Sequence, residues 1–163
     1  MAGAKKEKKD ADEQIQAICK NKRAFFEYEI FDTLECGVVL TGTEVKSLRE
    51  RAAGIEDAYA KIEDGELWLI GSDIPEYTMG NRLNHKPKRP RKLLLHKREL
   101  AKFAVKSSQQ GFTLVPLKLY FKAGRAKVEI AVARGKKLYD KRESKKKAEA
   151  AKDIRKAMKD RRR

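Results

Sequence analysis

AYAKIEDGELWLI, residues 58–70, decides the fold of this chain. Two apolar-rich runs, Ala58–Ile62 and Leu67–Ile70, flank the pair Asp64-Gly65. Asp-Gly fits a two-residue turn of the primed type, whose backbone needs positive φ. The stretch therefore predicts an antiparallel hairpin, and with it a domain of short strands.

Upstream, Phe26, Tyr28 and Ile30 alternate with Glu27 and Glu29, the period-two pattern of a strand with one buried face, which sends Phe26 inward. Gly37–Leu40 reads as a second strand. Thr43–Arg49 starts on a capping residue and sets Val45 and Leu48 at helical spacing, a short helix. Downstream, residues 75–91 contain Pro75, Gly80, Pro87 and Pro90 without periodicity and form a long loop, the most basic part of the body. Lys97–Gln110 places Leu100, Phe103 and Ala104 on one helical face before Gly111 as a stop. Phe112–Phe121 and Ala126–Ala133 form a final hairpin around Lys122–Arg125. A mostly β domain of about six strands and two or three short helices results. A sandwich accommodates these elements, but a closed six-stranded antiparallel barrel of the oligonucleotide-binding (OB) kind leaves no bare edges and offers a curved wall.

Charge divides the chain further. The 163 residues carry 40 Lys and Arg against 24 Asp and Glu, a net +16, which calls for a polyanionic partner. Residues 24–81 are net −9 and residues 82–133 net +12, so a fold that separates them has two electrically opposite faces. Residues 1–23, lysine-rich at their start, read as a basic mobile arm, and residues 24–133 as the barrel. Residues 134–163, net +10, read as a basic tail. In it Ala148, Ala151, Ile154 and Met158 recur at helical spacing on a stripe too thin to dock, so a coil that turns helical against a charged surface is expected.

Several classes of function drop out. No apolar run approaches membrane-spanning length and the N-terminus lacks a signal-peptide core, so a cytoplasmic protein without a membrane partner is expected. Cys19, Cys36, His85 and His96 do not have zinc-ligand spacing, so no metal or other cofactor is expected, and the thiols read as free. No paired-carboxylate motif, phosphate-cradling glycine loop or nucleophile elbow stands out, which argues against an enzyme and assigns no catalytic residue.

Four ordered motifs carry a resemblance: Gly42–Arg49 (GTEVKSLR), Arg91–His96 (RKLLLH), Leu114–Phe121 (LVPLKLYF) and Ala133–Arg142 (ARGKKLYDKR). In that order, across about Asn21 to Arg142, the chain resembles the SmpB family, the protein partners of transfer-messenger RNA (tmRNA) in bacterial ribosome rescue. The resemblance implies an OB-like barrel holding the tRNA-like domain of tmRNA. It also implies a tail that enters the decoding centre and the empty mRNA channel of a stalled ribosome against small-subunit rRNA. Elongation factor Tu is implied as a further partner through the tmRNA complex, with the protein itself a monomer. By residue, it implies RNA contacts from Glu35 and its aromatic neighbour Tyr59, from Leu94, His96 and Lys127, and from Arg134, Lys136 and Lys137. Tyr139, Asp140, Lys141 and Arg142 are implied at the decoding centre. The chemistry of these types agrees: His96 can stack on or hydrogen-bond to a base, and the lysines and arginines can meet phosphates. Glu35 is the odd member, since a carboxylate repels phosphate unless it meets a base edge or fixes a basic side chain. A structural ribosomal or general RNA-binding protein is the alternative, sharing the small size and basic extensions.

Overall fold

The computed structural model describes residues 15–160; the start of the expected arm, residues 1–14, and residues 161–163 lie outside them. Along the chain come β1 (Ile15–Lys20), α1 (Lys22–Glu27), β2 (Tyr28–Val38), α2 (Gly42–Arg49), β3 (Tyr59–Glu63) and β4 (Glu66–Ile70). They are followed by β5 (Arg91–Leu94), α3 (Lys97–Ser107), β6 (Phe112–Lys122), β7 (Arg125–Gly135) and α4 (Leu138–Asp160).

The Asp64-Gly65 turn takes positive φ at both residues, 49° and 73°, and joins β3 to β4 from Glu63↔Glu66 to Tyr59↔Ile70. Ala123-Gly124 repeats the same device, 49° and 73°, between β6 and β7. All pairings are antiparallel, in the order β1-β6-β3-β4-β5-β2-β7, and β6 pairs with β7 again. The ring β6-β3-β4-β5-β2-β7 therefore closes with six strands, and β1 is a seventh, added along the outer edge of β6. Leu48, Leu67, Leu69, Val128, Ile130 and Val132 are among the residues that fill its interior.

Three expectations are corrected here. Residues 15–23 are not part of an arm: Ile15–Lys20 pairs with β6, and Cys19 packs partly buried against the barrel core. Phe26 does not point inward; it lies on α1 and is 43% exposed. Helix wins over the local alternation because Asn21 caps it: the Asn21 carboxamide accepts from Ala24 N–H at 2.8 Å and donates to the carbonyls of Ile55 and Pro116 at 3.2 and 3.1 Å. Finally, Gly37–Val38 is no separate strand but the end of the 11-residue β2.

β2 and β6 both change face part-way. The register of β2 against β7 slips between Ile30 and Asp32, leaving Phe31 as the extra residue of a bulge. Before it, Tyr28 and Ile30 pack outside the ring on Ala24, Val115, Leu117, Ala131 and Ala133; after it, Leu34 and Cys36 point into the barrel. A matching slip on β6 lies between Pro116 and Lys118. Half of the outer face of β2-β7-β6 is thus a second small core beneath α1, and the other half is left polar.

The long loop is fastened rather than loose. Glu44 of α2, fully buried, accepts from Arg89 at 2.6 and 2.7 Å and from the Arg91 Nε at 3.0 Å, and its other partner is the Thr41 N–H at 2.8 Å. The N-cap of α2 is thus Thr41, two residues before the expected Thr43. Arg91 also donates to Ser72 and Pro87 carbonyls, and His85 bridges Thr43 and the Ile74 carbonyl at 2.9 Å each. Two of the loop region's cations are therefore committed to internal fastening, Arg91 fully buried and Arg89 partly exposed with its guanidinium on Glu44.

Candidate RNA interface

Past its bulge, β2 turns Glu35 outward, directly opposite Glu129 of β7. Like charges facing each other across strands repel unless cations intervene. Here they do. Lys118 lies 2.8 Å from Glu129, and Lys122 and Lys127 lie 3.3 and 3.8 Å from Glu35. The Tyr120 hydroxyl, between Lys118 and Lys122 on the same face of β6, donates to Glu35 Oε2. That hydrogen bond, against the opposing effect of partial burial and with help from Lys122, holds the Glu35 carboxyl below its ordinary range. The Tyr120 phenol is correspondingly raised, by burial first and by Glu35 second. The result is an ionised carboxylate that organises cations instead of repelling a polyanion.

Beside it runs a groove of about 590 Å³ whose walls include Glu35, Leu94, His96 and Lys127. Gly37 is the register partner of both Leu94 and Lys127, and Leu94 packs over it: a Cβ at this position would stand 3.4 Å from the Leu94 Cβ. Leu94, 52% exposed, ends β5, and His96 sits at the N-cap of α3, where its N–H donates to Glu99 at 3.1 Å. An apolar wall, an imidazole, the carboxylates Glu35 and Glu99 and the ammonium of Lys127 share one concavity, with Lys122 at its side; they offer an unpaired nucleotide a surface to stack on, base-edge acceptors and a phosphate partner.

Four of the residues singled out by sequence, Glu35, Leu94, His96 and Lys127, thus converge. Tyr59 does not join them. It lies on β3, 46% exposed, on a separate groove with Phe112, Ser107 and Ser108, because β3 is on the far edge of β6 from β7. The aromatic neighbour of Glu35 is Tyr120, which sequence reasoning missed together with Lys118 and Lys122. The alternation Lys118, Tyr120, Lys122 on β6 is the signal that marks them.

Arg134 stands at the other end of β7, 3.6 Å from Glu29, with its guanidinium over the edge-to-face rings of Phe31 and Phe112 at 5.4 and 5.7 Å. β7 runs through Gly135, so the tail starts at Lys136 and not at residue 134. Lys136 fixes its root: its N–H donates to the Glu27 carbonyl at 2.8 Å, and its Nζ to Phe25 carbonyl and Ser144 hydroxyl at 3.2 and 3.3 Å. Lys137 is exposed beside it. Tyr139, Asp140, Lys141 and Arg142 occupy the start of α4, with Tyr139 75% exposed and Asp140 in the first turn, where a carboxylate suits the helix dipole. At about 1.5 Å per residue, α4 extends roughly 34 Å. Its Ile154 and Met158 remain exposed. Among the described residues, no helix is long and apolar enough to cross a membrane.

Comparison with known proteins agrees with this arrangement. The family model described as SmpB protein matches residues 18–160. An SsrA-binding protein of Thermobifida fusca is 54% identical over 159 residues, covering 98% of this chain and 99% of that protein. One of Mesorhizobium japonicum is 53% identical over 152 residues, covering 93% and 96%, and one of Bartonella henselae 62% identical over 131 residues, covering 80% and 83%. Among solved structures, one described as "tmRNA-SmpB: a journey to the center of the bacterial ribosome" superposes with a TM-score of 0.63 at 50% identity, covering 74% of this chain and 85% of that one. With its closed barrel, its polar groove and matches along most of its length, this chain belongs to the SmpB family.

Proposed function

We propose that this protein binds tmRNA and delivers it to stalled ribosomes in trans-translation. The observation that carries the reading is the groove in which Glu35, Leu94, His96 and Lys127 meet, with Lys122 at its side. That concavity takes the tRNA-like domain of tmRNA, with bases against Leu94 and His96 and phosphates on the lysines. The basic residues of β7's end and the tail root, Arg134, Lys136 and Lys137, add contacts to RNA backbone, and Tyr59 meets RNA on its own groove.

α4 serves a second polyanion. It is cationic and apart from the core, and it leaves Tyr139, Lys141 and Arg142 to stack on bases and pair with phosphates at the decoding centre. The remaining turns lie along the vacant mRNA channel. On the ribosome the segment lies as the helix α4. Elongation factor Tu joins through the RNA, and the protein acts as a cytoplasmic monomer without catalysing a reaction.

Gel-shift titration of tmRNA against ordinary tRNA tests the first half: tighter binding of tmRNA is expected, and equal affinity would sink the assignment. Truncation after Gly135, which leaves β7 whole, tests the second. The truncated protein should retain most of its RNA affinity and lose peptide tagging on stalled ribosomes; tagging that survives contradicts the role of α4.

A further inference from the structure

Glu35 has two carboxylate oxygens in unequal surroundings. Oε2 receives the Tyr120 hydroxyl and, at 3.3 Å, the Lys122 ammonium. Among the described residues the one charged partner of Oε1 is Lys127, at 3.8 Å, too far for a hydrogen bond. Tyr120 itself has little freedom: 9% exposed, it is held in β6 between Ala17 of β1 and Lys127 of β7. A glutamate on an open sheet face samples many rotamers, whereas one tied to a fixed phenol keeps a single orientation before its ligand arrives.

We propose that Tyr120 is a positioning residue for RNA capture: by holding Oε2 of Glu35 it reserves Oε1, at the groove, as the acceptor for an amino or imino N–H on the edge of an unpaired base. The inference rests on the RNA reading of the groove and adds a selectivity element to it. Phosphate contacts carry no sequence information, while a carboxylate accepts only from a donor edge. Lys122 and Lys127 thus supply attraction and the Tyr120–Glu35 pair supplies choice. β1 has a part as well, since its pairing with β6 walls in the phenol.

The test is binding of the full-length protein to the tRNA-like domain of tmRNA over a range of salt, for Tyr120→Phe, Glu35→Gln and the double variant. Phe keeps the ring, so the melting temperature stays close to that of the parent. Tyr120→Phe is expected to weaken binding about tenfold with the salt slope unchanged, because every phosphate-facing cation is kept. The double variant is expected to bind no more weakly than Glu35→Gln alone. Fully additive losses, a changed salt slope, or parent-like binding by Tyr120→Phe while Glu35→Gln is impaired would each overturn the positioning role. Parent-like binding by Glu35→Gln and by Glu35→Ala would also overturn the acceptor role, whereas the RNA reading of the groove itself falls only if Lys122→Gln with Lys127→Gln binds like the parent too.

Discussion

Two carboxylates in this barrel are each clasped by two cations, and their surroundings send them to opposite uses. Glu44 and Arg91 are 0% exposed and Arg89 covers them; the three tie α2 to the long loop and to β5. Glu35, Lys122 and Lys127 are about one-third exposed on the outer wall and edge an open groove. In the first cluster Glu44 and Arg91 have exchanged water for one another and for backbone carbonyls, and Arg89, though partly exposed, gives its guanidinium to Glu44 through two hydrogen bonds. In the surface cluster water still solvates the ions, so the lysines remain available to a phosphate. Charge composition alone treats both as basic regions; burial decides which is scaffold and which is interface.

Removing one partner should separate them most sharply. Glu44→Gln leaves Arg91 buried beside a neutral amide and is expected to cost about 3–5 kcal/mol, read by denaturant unfolding. A cost near zero would mean the buried cluster is not a fastener. Acid gives the same contrast without mutation. Burial raises the Glu44 carboxyl, but the hydrogen bonds from Arg89 and Thr41 and the charge of Arg91 prevail and lower it below its ordinary 4.5. A depressed folded-state pKa contributes stability above the unfolded value, so this contribution is whole above pH 4.5 and is lost as pH falls from there through the folded pKa. Glu44→Gln should flatten that part of the stability–pH curve.

The surface cluster should respond in the other observable. Lys122→Gln with Lys127→Gln is expected to lower RNA affinity about tenfold or more and reduce the salt slope by roughly 0.7–0.9 for each phosphate left without its lysine, with the melting temperature nearly unchanged. The smallest effect is on folding: Glu35→Gln should alter stability by less than about 1 kcal/mol, since its ion pairs are solvent-screened. A loss comparable with that of Glu44→Gln would erase the distinction.

Elements whose determinants are local were legible in the sequence. Asp64-Gly65 fixes its hairpin by its own backbone preferences, Gly124 favours the second turn while the flanking strands hold Ala123 at a positive φ that alanine disfavours, and the apolar spacing of residues 97–110 marks α3. α1 was not legible, because its capping residue Asn21 is held by carbonyls 34 and 95 residues away. The alternation of Tyr28 and Ile30 was real but belonged to the outer face, since the bulge at Phe31 exchanges the sides of β2, and Phe26 lies outside it on α1. The same limit applied to the site. Glu35, Leu94, His96 and Lys127 were picked out by resemblance, while Tyr120 reaches Glu35 across 85 residues through a fold-dependent contact. Arg89 and Arg91, conversely, looked like part of a basic surface until their carboxylate partner was located.

The most direct measurement is a backbone and side-chain NMR titration of the protein with the tRNA-like domain of tmRNA. The largest shift changes are expected at Glu35, Leu94, His96, Tyr120 and Lys127, with Glu44, Arg89 and Arg91 nearly still. Silent groove resonances, or changes concentrated around Glu44, would contradict the division between interface and scaffold.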